Sequence, residues 1–169
     1  AKETTTVYTG VCNFPMLPEA LSTGASSLLE NEDRLAMVIE FVAAADGTVI
    51  SGTVYPALVR NKAQLTYSAV GAWLEGTAPA PPKVAASTDL QSQLKLQNQI
   101  AQALKTQRFQ HGALDIDTNE VHPILLNNQV VGVAKQEKNP ATELIEDFMV
   151  AANGVVARLL ENVSSLRRI

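Results

Sequence analysis

Two β-rich runs around an Asp-Gly dipeptide constrain this chain most. Arg34-Leu35-Ala36-Met37-Val38-Ile39-Glu40-Phe41-Val42 leads to Asp46-Gly47, and Thr48-Val49-Ile50 with Thr53-Val54-Tyr55 leads away. Glycine accepts the positive φ that a tight connection between paired strands demands, so the pattern predicts a β-hairpin and antiparallel pairing. A second hairpin is expected over residues 121–133 with Asn127-Asn128 at its tip, because asparagine tolerates the left-handed conformation. Helices fill the remainder. A short one is expected over 65–74, stopped by Gly76, followed by an extended surface loop over 77–86 where Pro79, Pro81 and Pro82 block regular structure. Ser87 or Thr88 can cap a long helix in which Leu90, Leu94, Ala101 and Leu104 recur at helical spacing, ending near Gly112. The last helix starts with Asn139 as cap and Pro140 at its first position, and Leu144, Phe148, Ala151, Val155 and Leu159 form its inward stripe. These patterns predict an α/β chain of the α+β type, in which antiparallel β-hairpins pack with two long amphipathic helices.

The length of 169 residues suits one domain, and a domain of that size can bury roughly 70% of its unfolded surface. No apolar run approaches the roughly 20 residues that span a bilayer, so a soluble chain is expected. The N-terminus, Ala1-Lys2-Glu3-Thr4-Thr5-Thr6, shows neither an initiator Met nor an apolar export segment, as an internal piece of a longer protein would. Cys12 is the only cysteine; it has no partner for an internal disulfide, which favours a reducing compartment and the cytoplasm. The net charge of −4 argues against a strong polyanion binder, because phosphate-driven affinity needs clustered Lys and Arg. Contact with single-stranded RNA would have to be local, through stacking and hydrogen bonds, and weak in the isolated chain.

Three carboxylate clusters are candidates for a magnesium site: Glu30/Glu32/Asp33, Asp115/Asp117/Glu120 and Glu143/Glu146/Asp147. The first reads as solvated charge in a polar turn before a strand. The second opens like a calcium loop but carries Glu120 where glycine is required and Leu126 where the closing glutamate belongs. The third occupies the first two turns of a helix, where acidic groups complement the helix dipole. His111 and His122 form no zinc pattern, Gly24-Ala25-Ser26-Ser27-Leu28 is no hydrolase elbow, and no glycine-rich phosphate loop occurs. No complete catalytic set is visible.

The segment Thr6-Val7-Tyr8-Thr9-Gly10-Val11-Cys12-Asn13-Phe14-Pro15-Met16-Leu17-Pro18-Glu19-Ala20-Leu21-Ser22 resembles the RNase II-type (RNB) exoribonuclease family, whose tyrosine is followed by Pro-Met-Leu-Pro and Leu-Ser. Matching blocks follow in order: Ser27-Leu28 with Asp33-Arg34-Leu35-Ala36, then Ala63-Gln64-Leu65-Thr66-Tyr67, then Leu144-Ile145-Glu146-Asp147-Phe148-Met149-Val150-Ala151-Ala152-Asn153. The resemblance implies a hydrolytic enzyme that degrades RNA from its 3′ end to nucleoside 5′-monophosphates with magnesium held by aspartates. In the family those aspartates precede the tyrosine block, and an arginine-containing stretch and an OB-fold RNA-binding domain follow the matched part. Residues 1–169 are therefore expected to be the middle of the catalytic domain, with no catalytic or metal-binding residue, no resident cofactor, and little activity alone; Arg167-Arg168 are not the active-site arginine stretch. By resemblance Tyr8 stacks on a base beside the scissile phosphate, and Tyr67 and Glu146 recognise the ribose 2′-hydroxyl. The family's second stacking phenylalanine corresponds to Ile116, which has no π-face; Phe109 takes its place only if the alignment shifts. Two other functions remain open: a non-catalytic RNA-binding or partner-binding module of the same descent, and an unrelated self-associating structural protein. Self-association through apolar surface over 150–160 is also expected, giving a homo-oligomer.

Overall fold

The computed structural model describes residues 5–9, 12–114, 121–126, 129–135, 138–161 and 163. They form an α+β chain of antiparallel hairpins and several helices: β1 (Val7–Tyr8), β2 (Asn13–Phe14), β3 (Asp33–Ala43), β4 (Val49–Arg60), α1 (Tyr67–Leu74), α2 (Pro82–Ala85), α3 (Thr88–Gln110), β5 (Val121–Leu126), β6 (Gln129–Lys135) and α4 (Pro140–Leu159). The chain divides into two compact units, one of Ala1–Arg34, Val59–Lys62 and Ile116–Glu137, the other of Leu35–Leu58, Ala63–Asp115 and Lys138–Ile169.

In the first unit, β1 and β2 make a two-rung antiparallel ribbon with Val7 opposite Phe14 and Tyr8 opposite Asn13. Its connection is fastened by Thr9, whose hydroxyl donates to the Cys12 carbonyl at 2.7 Å while the Cys12 N–H donates to that hydroxyl oxygen at 3.0 Å. A wide helical turn over Ala20–Ala25 follows Pro18, whose carbonyl accepts from the N–H groups of Leu21 and Ser22, both at 2.9 Å. The expected second hairpin is present as antiparallel β5 and β6, from Val121 opposite Lys135 to Leu126 opposite Gln129, with a register shift between Ile124 and Leu125. Its proposed tip, Asn127-Asn128, lies outside the described residues.

All the buried apolar side chains among the described residues belong to the second unit: Val70, Val84, Ala101, Leu104, Ala141, Leu144 and Val155. The Asp46-Gly47 turn joins β3 to β4 as the sequence predicts, with the Ala44 N–H donating to the Thr48 carbonyl at 2.9 Å and the Asp46 carboxylate accepting from the Thr48 N–H at 2.9 Å. Gly47 has φ of 87°, and a Cβ there would collide with the Ala103 carbonyl group. Glycine is thus demanded twice, by the backbone angle and by the close approach of the turn to α3. Further along, Gly52 faces the Val155 side chain with no room for a methyl group.

Helix ends follow the capping residues. Ser87 caps α3, its hydroxyl oxygen accepting from the Leu90 N–H at 3.2 Å. Asn139 caps α4 in a reciprocal box: its side-chain oxygen accepts from the N–H groups of Ala141 and Thr142, both at 3.0 Å, and the Asn139 N–H donates to the Thr142 hydroxyl oxygen at 3.0 Å. One expectation fails inside the proline-rich stretch. Instead of running extended throughout 77–86, the chain makes the single turn α2, with Pro82 in its first turn and Val84 fully buried. Proline at a first helical position gives up no hydrogen bond, and burying a valine side chain contributes roughly 1.5–3 kcal/mol, enough to fold the turn. Leu159, expected inward on α4, is exposed at the last turn. No helix among the described residues is long and apolar enough to cross a membrane.

Candidate functional site

Tyr8 ends a strand only two residues long, and its ring is 75% exposed. Among the described residues nothing buries it, and a π-face is open. Phe14 on the paired strand is also exposed. Tyr67 opens α1 after Thr66, which has extended backbone and makes no side-chain cap; its ring is 54% exposed. Glu146 lies in the second turn of α4 on the exposed side, where its carboxylate accepts from Lys138 Nζ at 3.2 Å. Tyr67 and Glu146 stand on two helices that pack against each other, and among the described residues no hydrogen bond joins them. Tyr8 belongs to the other unit. Ile116 and the Asp115/Asp117/Glu120 cluster lie outside the described residues. Phe109 is partly buried near the end of α3, with the Arg108 guanidinium 5.8 Å from its ring centre.

Five carboxylates of the other two candidate clusters are engaged by cations. Glu32 pairs with Arg34. Asp33 receives both Nε and Nη2 of Arg60, at 2.6 and 2.8 Å, and that fork holds its carboxyl below the usual aspartate range. In the third cluster Glu143 accepts from Lys105 Nζ at 2.8 Å, Asp147 from Arg108 Nη2 at 2.8 Å, and Glu146 from Lys138. The three side chains therefore serve three different cations. Among the described residues no group of three or more His, Cys, Asp and Glu side chains is arranged to hold a metal ion. The residues described do not fit the magnesium that the family resemblance implies.

Asp147 does more than complement the helix dipole. It is 4% exposed, the buried charged residue among the described residues. It borders an open cleft of about 200 Å³ lined by Gly47 and Val49 after the hairpin turn, Leu104 and Arg108 on α3, and Arg158 on α4. Burial raises its pKa above the ordinary aspartate value; the positive charges of Arg108 and Lys105 oppose that shift, and the negative charges of Glu146 and Glu143 add to it. The signal was present in the spacing: Asp147 falls three residues after Leu144 and four before Ala151, on the arc that the helix turns inward.

The family model described as RNB domain matches residues 1–168. Ribonuclease R of Thermotoga maritima is 35% identical over 163 residues, covering 95% of this chain and 22% of that protein. Exoribonuclease 2 of Escherichia coli is 32% identical over 152 residues, covering 89% of this chain and 23% of that protein. Among solved structures, Mycoplasma genitalium RNase R in complex with ribose-methylated single-stranded RNA superposes with a TM-score of 0.79 at 26% identity, over 94% of this chain and 24% of that one. The same protein in complex with double-stranded RNA superposes with a TM-score of 0.80, over 94% of this chain and 28% of that one. The chain spans about a quarter of the length of these relatives.

Proposed function

The chain belongs to the RNB domain family, and from that premise we propose that it supplies the substrate-side RNA contacts of a hydrolytic 3′-to-5′ exoribonuclease that releases nucleoside 5′-monophosphates. The match of the family model over residues 1–168 carries the proposal; RNA bound to the Mycoplasma genitalium protein supports the ligand class. In this proposal the two long helices present amphipathic faces within the middle portion of an RNB domain. Tyr8 stacks on a base, because an exposed aromatic ring serves any base equally. Tyr67 and Glu146 recognise the ribose, whose 2′-hydroxyl can donate to a carboxylate and exchange a hydrogen bond with a phenol. Single-stranded RNA is the partner, and a reducing, cytoplasmic setting suits the exposed thiol of Cys12.

Fluorescence anisotropy with a labelled single-stranded oligoribonucleotide tests the stacking role. Tyr8→Ala should weaken binding by the worth of one stacked base, about 1–3 kcal/mol, and should leave the thermal midpoint in place because the ring is 75% exposed. Equal affinity of the two proteins would remove Tyr8 from the site.

A second reading, a non-catalytic RNA-binding or partner-binding module of the same descent, is favoured by the pairing of Glu32, Asp33, Glu143, Glu146 and Asp147 each with a Lys or Arg. Both readings expect this chain alone to leave the labelled RNA intact in magnesium, so the encoding sequence just upstream separates them: an aspartate-rich stretch there supports the enzyme, and its absence supports the module. Family membership sets aside an unrelated structural protein.

A further inference from the structure

We propose that the Asp147–Arg108 ion pair is a positioning device for telling RNA from DNA: it fixes the rotation of α4 about its own axis and so aims the adjacent Glu146 carboxylate at the ribose. This inference rests on the proposed role of Glu146 as acceptor for a 2′-hydroxyl.

Consecutive residues of an α-helix point about 100° apart, so the direction of Glu146 is set by whatever holds Asp147. Asp147 is buried at 4% exposure while Glu146 is exposed. Arg108 on α3 donates to Asp147 at 2.8 Å, and one turn earlier on both helices Lys105 donates to Glu143 at 2.8 Å. Two rungs, one turn apart on each helix, define both the register and the rotation of α4 against α3. The apolar contacts of the same helices, made by Ala101, Leu104, Ala141 and Leu144, are buried but non-directional. They hold the helices together and restrict their orientation through interdigitated side chains, and the two ion pairs add point-to-point constraints to that packing. Among the described residues Glu146 makes a surface contact with Lys138 at 3.2 Å, between side chains that are both about half exposed. Such a contact constrains a long side chain weakly.

An ion pair with one partner buried, Asp147 at 4% exposure against 28% for Arg108, is also a poor way to add stability, because loss of hydration offsets the attraction, and apolar side chains of similar volume often do as well. Its distinct contribution is geometry, which gives a test that separates aim from folding. The probes are a labelled single-stranded oligoribonucleotide and the matched oligodeoxyribonucleotide, and the readout is the ratio of their affinities for the full chain. Glu146→Ala tests the underlying role and should lower the RNA:DNA ratio about tenfold, the effect of one hydrogen bond to a charged group. The double substitution Arg108→Met with Asp147→Leu removes the pair while keeping the volume. It should fold with a thermal midpoint at or above that of the parent and still lose about tenfold in the same ratio, to the level of Glu146→Ala. The charge-exchanged variant, Arg108→Asp with Asp147→Arg, should recover part of that loss and shows the same dependence if the apolar variant does not fold. If Glu146→Ala lowers the ratio while the apolar and exchanged variants both keep it, the positioning role is overturned and the role of Glu146 stands. If Glu146→Ala leaves the ratio unchanged, the role of Glu146 falls and the positioning proposal falls with it.

Discussion

At position 147 burial and charge pull one carboxyl in opposite directions. Burial raises the pKa of Asp147, the Arg108 and Lys105 charges on α3 lower it, Glu146 and Glu143 on its own helix raise it, and the net shift is upward. The folded chain therefore keeps that proton to higher pH than the unfolded chain, for which 3.8 is the ordinary value. Protons bound in excess by the folded state mean that stability falls as pH rises through the interval above 3.8. Asp33 and Asp46, whose pKa values are lowered, act the other way, their contributions being lost as pH falls. We expect Asp147→Asn to remove only the first component, so the stability difference between parent and variant should shrink or reverse sign as urea titrations move from about pH 4 toward neutrality. A difference independent of pH would show that Asp147 titrates alike folded and unfolded. At this scale the sequence was partly legible. Tyr8, Tyr67 and Glu146 were named from the family motif, and all three are exposed. The burial of Asp147 is not read from the sequence, because acidic residues early in a helix read as partners of its dipole, an effect that fades within the first turn; of the cluster only Glu143 occupies that turn.

Among elements, α4 was the most legible, because Asn139 and Pro140 state where a helix begins. The two hairpins were legible for a similar reason, since local backbone chemistry at Asp46-Gly47 outweighs anything remote. The turn α2 was hidden: three prolines announce a loop locally, and only the burial of Val84 shows that helix pays. Packing between elements was not legible at all, and Gly71 illustrates it. A Cβ on this α1 residue would lie 2.6 Å from both Cγ and Oδ1 of Asn139, the cap of α4. Gly71→Ala should therefore cost about 1–3 kcal/mol through displacement of that side chain, despite the roughly 1 kcal/mol by which alanine favours a helix. Asn139→Ala should cost about 1 kcal/mol by removing the cap. Because the second change also makes room for the first, the double variant should be less destabilised than the sum, with a coupling of about 1 kcal/mol in denaturant titrations. Strict additivity would mean that α1 does not press on the cap.

For the whole molecule, the apolar surface extends beyond the expected stretch. Within 150–160, Val155 is buried while Val150, Leu159 and Leu160 are exposed, and Val121, Leu126, Val130, Val131 and Val133 on β5 and β6 are exposed as well. Contiguous exposed apolar surface beyond a few hundred Å² promotes association. Light scattering should show a mass that grows with concentration, and Val133→Lys should reduce that growth; a monomer at high concentration in the parent would refute the expectation. No local sequence signal announces which strands stay uncovered, because that depends on what the rest of a fold brings to them. The division into two units has a further consequence, for synthesis. Each is stitched from three separated stretches of chain, and the stretches interleave. A ribosome delivers residues in order, so Ala1–Arg34 emerges first yet must wait for Ile116–Glu137 to complete its unit, while the other unit waits for Lys138–Ile169. Neither unit has all its stretches while its early part alone is outside the exit tunnel, so hairpins and helices with local contacts have to wait there for the partners that complete each unit.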